Sequence, residues 1–571
     1  MDGSQKAAAV LAGNQDTHAE DTDTTDVDAS EAVDIELNGD SADAEGEGVT
    51  VDGPTVTITA EGTYRLSGGL DGQIVVDAPG AEVTLILDGA EITNAEGAAI
   101  DVTDADEAVV VLADGSENTL SDTDSYAESA EADAALHSAA DLTIGGSGAL
   151  TVKGNGNDGI TSTDGLVVQG GTLTVDAADD GIRGKDYVVV SGGTVTVTAE
   201  GGDGLKADNT EDAERGYIAV GGGTVKVTGA DDGIDAATDL VVTGGKVSVV
   251  SEAADDSSAH GLKSGVITVL EGGTVTVDAS ADALHGDAAV HLGGAAVTLA
   301  AGDDGVHAEG DLVVSGGTVR ITRSSEGLEG KDVLVSGGST TVTSSDDGVN
   351  ASGSETSSAD QGDQGGQGDQ GGQGGQGGFG GGPGGGGGGD SVGDHSATVT
   401  GGTLVIDAEG DGFDSNGTAE ITGGTVVVNG PETGGNGALD VNGSFTVTGG
   451  TLLAAGSAGM VVTPDSESGQ GWLSATLDSS VGAGTTLHVV DSEGRVVASY
   501  VTSKTIQNVV YSGEGIESGE EYTVYAGGTT SGSRTGGLAG QGDLGSAEKT
   551  VTVTAGEVPQ GGGFGGGGSR P

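Results

Sequence analysis

The chain contains no cysteine. That excludes disulfides, thiolate metal sites and a cysteine nucleophile, and it says little about compartment. Aromatic residues are almost as scarce, with one Trp, eight Tyr and four Phe in 571 residues. A compact core of that size draws much of its buried area from large rings, so ordinary globular packing is a poor fit. Positive charge is scarce too. Lys and Arg number 18 against 91 Asp and Glu, for a formal net charge of −73. Nucleic acid and anionic membranes are therefore excluded as partners unless cations intervene. No apolar run approaches the roughly 18 residues that span a bilayer. The opening MDGSQKAAAVLAG has only a short apolar run and does not read as a signal peptide.

Glycine is abundant, at 116 residues, and it is periodic. Gly159, Gly181, Gly204, Gly233, Gly261, Gly305, Gly327 and Gly348 follow an acidic or polar residue and precede an aliphatic one, with Ala283 filling one slot. Most steps between these markers are close to 22 residues. A second marker runs in parallel, GGTLTV at 170, GGTVTV at 192, GGTVKV at 222, GGKVSV at 244 and so on to GGTLLA at 449. Fixed self-similarity of this kind signals a solenoid. The unit is too short for a helical hairpin and is rich in β-branched residues, so each repeat is expected to be one coil of a parallel β-helix with three short strands. The alternation points Ile182, Leu205, Ile234, Leu262, Leu284, Val306, Leu328 and Val349 inward, with Ala207, Ala236, Ala308 and Ala351 two places on. In DLVVTGGKVSVVS it points Leu240, Val242, Val247 and Val249 in, and Val241, Lys246 and Ser248 out.

Acidic pairs recur at the markers: Asp179 and Asp180, Asp231 and Asp232, Asp303 and Asp304, Asp346 and Asp347, with single acids Asp203 and Asp411 in the same slot. Equivalent residues of neighbouring coils stack about 4.8 Å apart, where two carboxylates repel by roughly 3.5 kcal/mol at an effective dielectric near 20. Such a ladder needs protons, full solvation or a bound cation. Oxygen ligands beside glycine turns suit Ca²⁺, so these ten residues are the candidate metal ligands. A solvated acidic ridge is the competing reading, and which Asp of a pair would ligate is not readable.

The residue after the inward aliphatic forms a second, outward column. It reads Thr161, Arg183, Lys206, Asp235, Lys263, His285, His307, Glu329, Asn350, Asp414 and Asp440. A polar strip along a rod suits a long polymer laid on it, with Arg183, Lys206, Lys263, His285 and His307 as candidate binding residues. Cations beside carboxylates also suit lyase chemistry, in which Arg183 or Lys206 would take a proton while calcium neutralises a uronate. Against aromatic stacking, Tyr187 and Tyr217 read as isolated rings.

The segments VTITAEGTYRLSGGLDGQIVVDA, VTLILDGAEITN, LADGSENTLSD, DGIRGKD, GDGFDSNGTAEITGGTVVVNGP and GNGALDVNGSFTVTGGTLLAAGS together resemble a bacterial family of carbohydrate-binding β-helix proteins. The likeness covers about residues 52 to 530. It implies a right-handed, pectate-lyase-like helix, calcium at the acidic turns, and a secreted or surface-held protein that binds plant polysaccharides. Slots filled otherwise, as in SAHGLKS and ADALHGD, leave the number of metal sites open.

The expected organisation is an all-β chain with an acidic disordered segment over 1–48 and the parallel β-helix, of roughly 22 residues per coil, over 49–352. A flexible Gly/Gln-rich loop follows over 353–395, the helix resumes over 396–465, a small C-terminal β domain or cap spans 466–555, and a Gly-rich tail spans 556–571. The expected function is non-catalytic, calcium-dependent, extracellular binding of a plant cell-wall polymer such as pectin or cellulose by a monomer. A calcium-dependent pectate-type lyase and a structural surface rod or adhesin are the alternatives.

Overall fold

The structure, a computed structural model, describes residues 2–18, 24, 27, 29–127, 129–253, 259–352 and 392–558. It is all-β, a solenoid of about 15 parallel-stacked turns averaging about 24 residues. That exceeds the 22-residue marker spacing because several coils carry excursions. Ile100 and Leu136, for example, are register partners 36 residues apart, with the strand Glu117–Ser121 and a loop between them.

Each coil contributes one strand to each of three parallel ladders. The first holds three-residue strands such as Ile182–Gly184, Leu205–Ala207 and Ile234–Ala236. The second holds Tyr187–Val190, Tyr217–Val220 and Asp239–Val242. The third holds Thr194–Ala199, Thr224–Gly229 and Lys246–Ser251. The GG turn before each third-ladder strand needs a left-handed residue, as at Gly245 with φ of +75°. The expected inward residues, from Ile182 to Val349, are all fully buried in one continuous aliphatic stack.

The marker glycines answer a packing constraint. A Cβ on Gly233 would collide with Val249 Cγ1 and crowd the carbonyl of Gly261 in the next coil, and Gly181, Gly204 and Gly261 face Val197, Val227 and Val277 in the same way. Where Ala occupies the slot, at Ala283 and Ala438, the position in register with those valines holds Leu299 and Ala454, neither of them β-branched. Ala135, whose in-register neighbour is Val152, lies outside this correlation.

Within the segment 1–48, expected to be disordered from composition, the described residues include a short helix, Ala7–Leu11, and strands Val33–Gly39 and Ala42–Ala44. Among the described residues, 2–18 strap across the outer face of the second ladder. The helix Ala7–Leu11 buries Ala7 and Val10 against Val241, Ile267, Val269 and Ala289. Val241 does point outward, but the strap covers it. The strap also reaches Tyr187, whose hydroxyl lies 2.8 Å from His18 Nδ1. Tyr187 and Tyr217 are not isolated: they stack at 5.3 Å and are buried. Val33–Gly39 then pairs in parallel with Gly62–Asp71, beginning the solenoid before residue 49.

At the far end, the last parallel strand Thr451–Gly456 is met antiparallel by Ile506–Ser512, which also pairs with Trp472–Val481. The other strands of the C-terminal region form a separate six-stranded antiparallel sheet. It packs on the solenoid's flank through Val405 and Val427, and Tyr500 donates to Asn429 at 2.6 Å. The loop expected over 353–395 lies outside the described residues up to 391, and the tail lies outside them from 559.

If steric exclusion by a β-branched neighbour sets the glycine slot, Gly233→Ala should cost about 1–3 kcal/mol of stability. Adding Val249→Leu should return a clear part of the loss in thermal unfolding. A double variant no more stable than the single one would refute that account.

Candidate functional site

The short strands of the first ladder carry the site. In most coils an acid precedes the marker glycine, the aliphatic turns in, and the next side chain follows in the outward column. Pairing places every member of the outward column beside its copy, Thr161 to Arg183, Lys206, Asp235, Lys263, His285, His307, Glu329, Asn350, Asp414 and Asp440.

The structure separates the two members of each acidic pair. Asp179, Asp231, Asp303 and Asp346 are exposed, whereas Asp180, Asp232 and Asp304 are buried and Asp347 is half-buried. The inner carboxylates form a ladder in which most cap a backbone N–H one coil on. Asp158 Oδ1 accepts from Asp180 N at 3.1 Å, Asp180 Oδ1 from Asp203 N at 2.8 Å, and Asp203 Oδ1 from Asp232 N at 2.8 Å. Asp232 Oδ1 then accepts from His260 N at 2.7 Å, Asp282 Oδ1 from Asp304 N at 2.9 Å, and Asp347 Oδ1 from Asp411 N at 2.6 Å. Gly202 and Gly410 leave room for this, since a Cβ there would press on Asp179 and Asp180, or on Asp346 and Asp347.

The second carboxylate oxygen faces the outward column, and there the cations sit. Lys206 Nζ lies 2.8 Å from Asp203 Oδ2 and 3.1 Å from Asp180 Oδ2. Lys263 Nζ lies 2.9 Å from Asp232 Oδ2, and His285 Nδ1 2.8 Å from Asp282 Oδ2. His307 Nδ1 is held between Asp304 Oδ2 at 3.0 Å and Glu329 Oε2 at 2.9 Å. Arg183 forks onto Asp208 Oδ2 at 2.6 and 3.0 Å and lies 3.6 Å from Asp158 Oδ2. It also borders a pocket of about 190 Å³ with Glu131, Asp133, Thr161 and Lys185. All five candidate binding residues therefore already serve as counter-charges to the ladder.

Electrostatics vary along the rod. Burial pushes Asp158 and Asp203 up to about 7. Burial opposes the charge of Lys206, but Asp203 and Asp180 outweigh it and hold the ammonium above its ordinary value. Burial likewise works to raise Asp232 and Asp282, but hydrogen bonds from His260 and Lys263, and from His285, hold them below the usual carboxylate range. His285 rises to about 9 because Asp282 and Asp287 overcome its burial. Beyond Glu329 the column turns acidic. Burial, reinforced by neighbouring acids, pushes Glu326 and Asp347 up to about 7 and Asp414 to about 8. Asn350 donates to Glu326 at 2.7 Å while its buried Oδ1 has no partner.

Four groups among the described residues bring potential metal-ligating atoms within 4.8 Å of one another. They are His260–Asp282–His285, Asp282–Asp304–His307, Asp203–Asp231–Asp232 and Asp304–Glu326–Glu329. Of the acids singled out from sequence, Asp203, Asp231, Asp232 and Asp304 enter such groups, and Asp179, Asp180, Asp303, Asp346, Asp347 and Asp411 do not. Sequence reasoning passed over Asp158, Asp282, His260, Glu326 and Glu329 as site members. The signal for the first four is position alone, each preceding a marker Gly159, Ala283, Gly261 or Gly327.

A protein-family model described as carbohydrate-binding domain-containing protein matches residues 52–305 and 300–363. A carbohydrate-binding domain-containing protein of Acetivibrio thermocellus is 41% identical over 233 residues, covering 40% of this chain and 80% of the relative. A solved structure, described as a polysaccharide lyase-like protein from C. thermocellum in a gadolinium derivative, is 32% identical with a TM-score of 0.38. That match covers 47% of this chain and 96% of the other.

The raised groups set a pH dependence. Asp158, Asp203, Asp347 and Asp414 bind protons in the folded state up to about 7 or 8, and His285 up to about 9. The stability they contribute is complete below their unfolded values and is lost as pH rises through the folded ones. The depressed groups Asp232 and Asp282 are fully ionised in both states above about pH 5 and do not oppose this. His291 and His488, lowered by burial, act in the opposite sense only at and below the ordinary histidine range. In chelator, the unfolding temperature should therefore fall between pH 7 and pH 9. A flat or rising profile in calorimetry would contradict this charge assignment.

Proposed function

We propose, on the premise that the chain belongs to the family of carbohydrate-binding domain-containing proteins, that it is a non-catalytic, extracellular binder of acidic plant cell-wall polysaccharide, with Ca²⁺ completing its binding face. The observation that carries this reading is the in-register polar column running from Thr161 to Asp440. Apart from the buried Thr161 and Asn350, it offers a half-buried hydrogen-bonding side chain on each successive coil, which matches an extended polymer better than a compact ligand.

The calcium part rests on the acidic end. Among the described residues, no Lys, Arg or His forms an ion pair with Asp347, Asp411 or Asp414. Burial works against ionisation there, and Asn350 adds a buried amide oxygen without a partner. Carboxylates with an amide oxygen form the hard, flexible donor set that Ca²⁺ takes. The donor set at Asp180, Asp203 and Asp232 fits less well, because Lys206 and Lys263 already occupy the oxygens facing out. Bound there, calcium would neutralise the acidic end and bridge protein carboxylates to uronates. At the other end, Arg183, Lys206 and Lys263 keep half-buried cations that a uronate could share.

The lyase alternative requires a free base. Lys206 is held above its ordinary value by two carboxylates and so stays protonated, and Arg183 is forked onto Asp208. Both speak for binding over proton abstraction. No helix among the described residues is long and apolar enough to cross a membrane.

Retention on polygalacturonate should be strong in Ca²⁺ and collapse with chelator. Asp347→Asn with Asp414→Asn should weaken the calcium dependence, and Lys206→Ala with Lys263→Ala should lower affinity by about tenfold, the equivalent of 1.4 kcal/mol. No retention on any insoluble polysaccharide in Ca²⁺ would favour the structural rod. Release of ultraviolet-absorbing unsaturated product, abolished by Arg183→Ala or Lys206→Ala, would establish the lyase.

A further inference from the structure

Within the column, one group differs in kind from the carboxylate–lysine pairs around it. At Gly261 the acidic slot holds His260, whose backbone N–H caps Asp232 as an Asp in that position would. One coil on, Asp282 and His285 follow. His260 Nε2 lies 3.6 Å from Asp282 Oδ2, and His285 Nδ1 lies 2.8 Å from the same oxygen. Asp282 Oδ1 is used by the backbone N–H of Asp304, which leaves Oδ2 directed at the two imidazoles. The rings lie 4.6 Å apart at 51°.

The far side of each ring is also engaged. His260 Nδ1 lies 3.1 Å from Asp232 Oδ1, and His285 Nε2 lies 3.3 Å from Asp287 Oδ1. A carboxylate behind an imidazole fixes its tautomer and presents the other nitrogen as a lone pair, which is how proteins orient histidine ligands on a metal. If both outer nitrogens donate, three lone-pair donors converge: Nε2 of His260, Oδ2 of Asp282 and Nδ1 of His285. Without a positive centre between them, donors at 2.8 and 3.6 Å repel one another. A proton on His285 is one solution and a metal is the other. A four-coordinate metal with bonds of 2.0–2.1 Å sets its donors about 3.3 Å apart, and the two measured separations bracket that value.

We infer that His260, Asp282 and His285 form a site for a divalent metal of the zinc class, with the fourth position open, separate in place and chemistry from the acidic, calcium-suited end of the column. Two imidazoles and one carboxylate favour Zn²⁺, Co²⁺ or Ni²⁺ over Ca²⁺, which takes six to eight oxygens. The neighbouring His307 does not offer the same thing, because its Nδ1 is spent on both Asp304 and Glu329. Loading the site displaces the proton His285 holds, so affinity rises with pH.

The test is calorimetry with Zn²⁺ on the full chain in millimolar Ca²⁺, together with the absorption spectrum of the Co²⁺-loaded protein. One equivalent should bind despite the calcium, and Co²⁺ should give the intense visible bands of a four-coordinate site. His260→Gln should lower Zn²⁺ affinity at least a hundredfold. Asp287→Asn, at a half-exposed side chain whose loss leaves the core untouched, should lower it about 10- to 100-fold. Zn²⁺ displaced by Ca²⁺, a weak octahedral Co²⁺ spectrum, or unchanged affinity in the Asp287→Asn protein would each overturn the site. The spectrum is read on the native chain, so a variant that fails to fold leaves the proposal open to refutation. Polygalacturonate retention measured in Ca²⁺ without Zn²⁺ keeps this outcome separate from the proposed function.

Discussion

The solenoid depends on one constraint: each residue stacks, in register, on its own equivalent one strand spacing away. For an aliphatic this is favourable, because Ile182, Leu205, Ile234 and Leu262 stack on one another and share one core with the inward aliphatics of the other two ladders. For a carboxylate it is costly, at several kcal/mol per step if nothing intervenes. Along most of its length the inner Asp ladder meets two kinds of positive partner, and Asp347 meets only the backbone one. One oxygen takes a backbone N–H of the next coil, and the other faces the outward column. The acid before each marker glycine is thus structural before it is anything else.

How the second oxygen is compensated changes along the rod. Arg183, Lys206 and Lys263 neutralise it with permanent charge, and His285 and His307 with titratable charge. Beyond Glu329, with Asn350 and Asp414 in the column, protons or external ions must do the same work. One repeated backbone therefore presents three chemistries in sequence. The acidic pairs singled out as candidate calcium ligands therefore sit in different surroundings from one coil to the next. The pairs look alike in sequence, but their counter-charges differ and come from the same coil or the next: Lys206 meets Asp180, Lys263 meets Asp232 and His307 meets Asp304, while Asp347 has no such partner among the described residues.

The fold was legible because period and register are the same information in a solenoid: once Gly181 and Gly204 are matched, Arg183 must lie beside Lys206. The outward column followed for the same reason. Three things did not follow. The buried member of each Asp pair is chosen by the pleat, and DDG reads identically either way. Asp158, Asp282 and His260 occupy the ladder as single residues, without the doublet that drew attention to the slot, and His260 is not an acid. The N-terminal strap was read as disordered because Ala7, Val10 and Leu11 are too few to suggest a core of their own. Their partners Val241 and Val269 sit at outward positions that a two-residue alternation assigns to solvent. An outward valine run on one ladder was the available sign that something covers it.

On the proposed reading, the same constraint shapes how a polymer is held. No cation in the column is idle, so a uronate that reaches Lys206 competes with Asp203 and Asp180 for it. Each contact is then an exchange of one ion pair for another, and contributes little on its own. What distinguishes the rod is repetition: once one sugar is engaged, its neighbours face the next coils at high effective concentration, and weak contacts accumulate along the axis. Such a surface discriminates against short ligands without needing a deep pocket or an aromatic platform. It accounts for how a chain with thirteen aromatic rings and a net charge of −73 could still recognise a sugar polymer, provided the polymer is long and the acidic end of the strip is neutralised.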